Sequence, residues 1–197
     1  MLSLSVGYIS LSYAIAQENE TPDKKREYPM GKLNGLRIIE IPDFRAVSSG
    51  SQPNLLTNAE GGFMKWHQTN IHLMRDCFYA NPDFIYHEKP GEGTWIWAVK
   101  DDVTAADCAP YDLIEFKGGM YAVTVIDGND GKDTNEVVNS MIKWIVDSDI
   151  FVADEVPPRY GMGHMIGVDL MKDLGWEQYE IFLPIKYKVK PENTDNF

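Results

Sequence analysis

Residues 36–50 read LRIIEIPDFRAVSSG, and residues 112–128 read DLIEFKGGMYAVTVIDG. Each stretch passes from Ile-Glu and an apolar residue through a short break to Ala-Val. Glu40 corresponds to Glu115 and Ala46-Val47 to Ala122-Val123, at offsets of 75 and 76 residues. A helix is expected after each. In AEGGFMKWHQTNIHLM (residues 59–74), Phe63, Trp66 and Leu73 fall near one face. In TNEVVNSMIKWIVDS (residues 134–148), Val137, Met141, Trp144 and Ile145 share a face, and Asp133 with Glu136 resembles a capping box that starts this helix. Trp66 and Trp144 correspond. Each half then closes on an alternating strand, TWIWAVK (residues 94–100) and YEIFLPIK (residues 179–186), with room before it for one short strand, near residues 75–84 and 159–169. NPDFIYHEKPGEG (residues 81–93) and DEVPPRYGMG (residues 154–163) read as exposed turns because Pro and Gly cluster there, and residues 101–110 join the halves.

One plan is therefore stated twice, strand-helix-strand-strand. Two helices cannot cover both faces of the sheet that such strands make. The expected fold is α+β: duplicated units forming an antiparallel sheet, helices on one face, and a pocket between the halves.

Composition narrows the function. The chain has 197 residues, 44% hydrophobic and 24% charged, which is globular rather than disordered. Its formal charge of −12 repels phosphate backbones and anionic lipids, so neither direct nucleic-acid binding nor membrane binding is expected. No apolar run is long enough to span a bilayer as a helix. Cys77 and Cys108 are too far apart in sequence for a zinc or redox motif; two buried thiols and one disulfide both fit. His67, His72, His87 and His164 show no metal-ligand spacing, and no metal or cofactor is expected. Enzyme signatures are thin, with no G-x-S-x-G, no H-E-x-x-H and no phosphate-cradling loop; FKGGMYA is a turn.

The closing strand carries the oddest pattern. In GWEQYEIFLPIKYK (residues 175–188), Tyr179, Ile181, Leu183 and Ile185 make one apolar face. The other face bears Glu180, Phe182 and Pro184: a carboxylate, a ring and a proline. That face is either an edge with an incidental charge or the wall of something that takes a cation between apolar surfaces.

Residues 1–20, MLSLSVGYISLSYAIAQENE, support two readings. As a signal peptide they offer an apolar stretch and Ala14-Ile15-Ala16 before Gln17, without a basic start. Alternatively SVGYISLSY (Ser5–Tyr13) resembles the opening of the second recognition helix of AraC-type regulators, followed by too few residues to fold as a DNA-binding domain. The favoured division is a truncated helix-turn-helix remnant or signal and linker segment at 1–33 and one domain at 34–190, with repeats near 34–102 and 111–190. The remnant reading places the chain in the cytoplasm, and the signal-peptide reading outside it.

From about Leu36 to Lys188 the chain resembles the GyrI-like effector-binding domain often joined to AraC-type DNA-binding domains in bacterial regulators. IIEIPDFRAVSSG, TWIWAVKDD, FKGGMYAVTVIDG and YEIFLPIK carry the resemblance, the last most specifically; HMIGVDLMKDLGWEQ departs from it. The resemblance implies a paired-repeat α+β domain with a pocket for hydrophobic, often cationic, small molecules, and it makes Glu180 the pocket carboxylate. Around it Phe182, Trp95, Trp97 and Met120 are the candidate ligand-lining residues, since rings hold cations by cation–π contact and thioethers suit promiscuous surfaces. Tyr121 is the candidate donor to Glu180. Some relatives hydrolyse reactive cyclopropane compounds and others interact with gyrase, so a hydrolase and a gyrase-inhibitor-like interaction protein stand as alternatives to a small-molecule sensor.

Overall fold

Two strands of the domain are long and bent, and their bends are the short breaks in the duplicated sequence. In the computed structural model, which describes residues 35–55, 62–76, 83–89, 91–128, 130–154, 159–166, 175 and 177–188, β1 (Arg37–Ile41) turns into β2 (Phe44–Ser48), and β6 (Asp112–Phe116) turns into β7 (Gly119–Asp127). β1 pairs with β7 and β2 with β6, both antiparallel, so the two bent strands run together along both arms. At the bend Asp43 accepts the Gly118 amide at 2.9 Å and Lys117 Nζ at 2.7 Å. A Cβ at Gly118 would overlap the Ile41 carbonyl, and Gly119, beside the Arg159 guanidinium, takes φ +147°, a conformation that residues with side chains rarely adopt. The paired glycines of FKGGMYA thus serve the bend.

The remaining elements are β3 (Gln52–Pro53), α1 (Phe63–Thr69), a 3₁₀ turn (Ile71–Leu73), β4 (Asp83–Lys89), β5 (Glu92–Ala98), α2 (Ala105–Cys108), α3 (Gly131–Asp147), β8 (Phe151–Ala153), β9 (Met162–Ile166) and β10 (Gln178–Tyr187). The strand order is β1-β7-β10-β9-β4-β5-β2-β6, with β3 on β5 and β8 on β10. Exchanging β1 with β6, β2 with β7, β4 with β9 and β5 with β10 reverses this order into itself. The duplicated sequence is a duplicated structure. Because β1 continues into β2 and β6 into β7, the sheet curls back on itself, helices outside.

Three apolar clusters follow from strand alternation. Under α3, Val137, Val138, Met141 and Ile145 pack on Ala122, Ile181, Leu183 and Ile185. Under α1, Phe63 and half-buried Trp66 pack with Val47, Trp95, Trp97 and Val99. Inside the curl, Phe44, Phe84, Phe116 and Phe182 meet Tyr86, Tyr121 and Met162. Phe44 stacks on Phe116 at 4.6 Å, and Phe84 meets Phe182 edge-on at 5.3 Å.

Several local expectations are corrected. Residues 83–87 are not an exposed turn: β4 runs through them, with Phe84 and Tyr86 directed into the curl and Ile85 under α1, and exposure begins only at Glu88, Lys89 and Gly91. The alternation there outweighs the flanking Pro and Gly. α3 starts at Gly131, ahead of the Asp133 cap, and Thr134 donates to the Asp130 carbonyl at 2.9 Å. The joining segment contains α2, and there the capping box is real, between Thr104 and Asp107. The α1 region is a two-turn helix and a 3₁₀ turn rather than one continuous helix. Cys108 is a buried free thiol; Cys77 and the whole segment 1–34, with its competing readings, lie outside the described residues.

Candidate functional site

β10 lies between β7 and β9, which decides what each of its side chains meets. Tyr179, Ile181, Leu183 and Ile185 turn toward α3, so alternation sends Glu180 and Phe182 into the curl. Glu180 faces His164 of β9 and Val125 of β7 in register, while Phe182 faces Met162 and Val123. Glu180 is 5% exposed. An isolated charge so placed would shed its ionisation. Glu180 instead is built into a line of alternating charges. Arg37 Nη2 donates to Oε1. His164 Nδ1 lies 3.3 Å from Oε2, and His164 Nε2 lies 3.2 Å from Asp83 Oδ1. Asp83 Oδ2 accepts Trp95 Nε1 at 2.8 Å.

With a carboxylate oxygen facing each ring nitrogen, both nitrogens of His164 carry protons and the imidazole is cationic. Burial pulls its pKa down, but the hydrogen bonds and charges of Asp83 and Glu180 outweigh burial and push it up to about 9. For Glu180, burial raises the pKa; the His164 hydrogen bond, the Arg37 charge and their companions overcome that and hold the carboxyl below its ordinary range. The line therefore has no excess charge: two cations alternate with two carboxylates.

Linkage gives a pH dependence. His164 titrates near 6.5 when unfolded and near 9 when folded, so its contribution is complete below pH 6.5 and disappears as pH rises toward 9. Glu180 contributes in the other sense, with stability present above its unfolded value and lost as pH falls through the lowered folded one. Urea midpoints should fall between pH 6.5 and 9 by the equivalent of on the order of 3 kcal/mol, and much less in His164→Gln. A flat wild-type profile over this range would mean that His164 is not charged in the fold.

The six residues expected at a ligand site divide between the two faces. Glu180, Phe182 and Tyr121 share the interior. Trp95, Trp97 and Met120 stand on the helix-covered faces, the tryptophans under α1 and Met120 among the residues packed by α3. This corrects the placement of both tryptophans beside Phe182. Ile96, between them, is the residue that faces inward, and His67 stacks on Trp97 at 3.7 Å. Trp95 still joins the charged line through its indole N–H. Tyr121 is not the donor to Glu180: it lies opposite Pro184, four residues along β10 or about 13 Å away. Its buried hydroxyl has no partner among the described residues, and burial pushes its pKa up to about 12, so it is a neutral donor facing the interior rings. Arg37, His164 and Asp83 were missed. Each comes from a different strand, and strand pairing brings Arg37 and His164 to Glu180 and Asp83 to His164.

No family model matches the chain, and no curated protein matches it in sequence. Solved structures do match. The EcmrR C-terminal domain superposes with TM-score 0.56 at 14% identity, over 78% of this chain and 98% of that one. The chain has the GyrI-like fold. A conserved Listeria innocua protein superposes with TM-score 0.60 at 12% identity, over 77% of this chain and 92% of that one. A Listeria innocua hydrolase does so with TM-score 0.58 at 12% identity and the same coverage. At such identities the likeness is one of fold. Among the described residues no helix is long and apolar enough to cross a membrane.

Proposed function

We propose that the domain binds apolar small molecules bearing one positive charge, as an effector-binding module of the GyrI-like type. The observation that carries this reading is Glu180: a carboxylate held ionised on a residue only 5% exposed, on the interior side of a curled sheet whose inward face is apolar and rich in rings. A cation brought to about 4 Å from such a carboxylate gains roughly 4 kcal/mol at an effective dielectric of 20, against about 1 in water. Phe182 and Phe84 supply apolar surface beside it, and rings add roughly 0.5–2 kcal/mol each to cation binding. A role beside a DNA-binding partner follows from the sequence resemblance of residues 36–188 and of Ser5–Tyr13 to bacterial regulators.

Hydrolysis is less well served by the same residues. A general base works best with a pKa near the operating pH. Glu180 is held below the ordinary carboxylate range and His164 is protonated on both nitrogens at neutral pH, so neither is ready to take a proton from water.

The test is calorimetric titration with tetraphenylphosphonium and with tetraphenylborate, which match in shape and differ in charge sign. The phosphonium should bind at least about tenfold more tightly. Equal affinity, or preference for the borate, would remove the cation-binding reading.

A further inference from the structure

We propose that Arg37 is a built-in competitor for the ligand: its guanidinium occupies the seat on Glu180 that an apolar monocation takes, and binding requires Arg37 to swing out. This inference rests on the binding reading above and adds how the site is kept closed.

Both oxygens of Glu180 are already engaged, Oε1 by Arg37 and Oε2 by His164. The two partners differ in their freedom to leave. His164 is buried and anchored at its far nitrogen by Asp83. Arg37 is the first residue of β1, on the far side of β7 from Glu180, and its side chain is 47% exposed. It reaches diagonally across β7, since Arg37 faces Val123 while Glu180 faces Val125. Val125 projects on the same side as Glu180 and is itself 42% exposed. At this end the interior face therefore meets solvent, and the Arg37 side chain is what stands over the carboxylate.

Charge balance points the same way. Arg37, Glu180, His164 and Asp83 together are neutral. A cation entering without displacement would leave a surplus positive charge in a poorly solvated place. Exchange of one guanidinium for one ligand cation keeps the balance, which favours singly charged ligands over doubly charged ones. The apparent affinity is then the intrinsic affinity multiplied by the fraction of molecules with Arg37 away. If that fraction is about one in ten, removing the guanidinium tightens binding by about tenfold.

The experiment compares tetraphenylphosphonium affinity in wild type, Arg37→Gln and Lys143→Gln. Lys143 pairs with Asp147 on the exposed side of α3 and controls for the loss of one positive surface charge. Arg37→Gln should bind about tenfold more tightly than wild type, with Lys143→Gln close to wild type. Wild-type binding with no gain in Arg37→Gln, or the same gain in both variants, overturns the competitor and leaves the binding reading standing. Failure of all three to bind overturns the binding reading and the competitor with it. A measurement on unaltered protein guards against an Arg37→Gln variant that does not fold. In wild type labelled at arginine side chains, the Arg37 guanidinium N–H signals should be slow to exchange without ligand and shift to those of a solvated arginine at saturation. Signals unchanged at saturation would overturn the proposal.

Discussion

Asp83→Asn is expected to cost about 3 kcal/mol of folding free energy near pH 7, the lower end of what breaking a buried charge pair costs. Asp83 is buried, and its two oxygens serve two different N–H donors, His164 Nε2 and Trp95 Nε1. Asparagine offers one oxygen and one amide. Whichever way it turns, its NH₂ meets a donor: either the indole N–H or the imidazole N–H loses its acceptor. The indole has no means of adjusting. The imidazole does, by giving up its Nε2 proton and becoming neutral. The variant should therefore lower the His164 pKa from about 9 toward or below its ordinary 6.5, visible in the pH dependence of the ring carbon and proton shifts. The stability difference from wild type should shrink above pH 9, where wild-type His164 has also lost its charge. A variant within about 0.5 kcal/mol of wild type, with His164 still titrating near 9, would show that Asp83 does not hold the imidazolium.

Glu180→Gln should weaken tetraphenylphosphonium binding by about tenfold or more. The substitution keeps shape and removes one negative charge. It loses the attraction that makes the interior a cation site, and it leaves Arg37, His164 and Asp83 with one surplus positive charge, which repels the ligand. The Coulomb gain of roughly 4 kcal/mol at 4 Å is the upper bound, and Arg37 already occupies part of it in the wild type. A loss of about 1.4–3 kcal/mol, a factor of ten to somewhat over a hundred, is the expected range. Circular dichroism should show the same fold, because the α1, α3 and aromatic-interior clusters do not involve the carboxylate. Unchanged affinity in a folded variant would place the ligand away from Glu180.

Strand alternation and spacing were enough to establish the duplicated strand-helix-strand-strand plan and the placing of Glu180 and Phe182 opposite the apolar face of β10. These are properties of the chain over ten residues or fewer, repeated once, and local periodicity encodes them. The two glycines at the second bend were also legible as a turn, although the crowding that requires them comes from Ile41 and Arg159, which are distant in sequence. The face of a strand that becomes the interior is not local. Trp95 and Trp97 alternate with Ile96 whichever side is buried, and the position of α1 decided that the tryptophans lie beneath it. Glu180 needed a charge partner by elementary electrostatics, and the sequence named none correctly. Arg37 is 143 positions away and Asp83 97, and they meet the carboxylate and its histidine only because the curl sets β1, β4, β9 and β10 in one register. Periodicity determined which side chains share a face with Glu180; the pairing of strands far apart in the chain decided that this face is the interior and what holds the charge there.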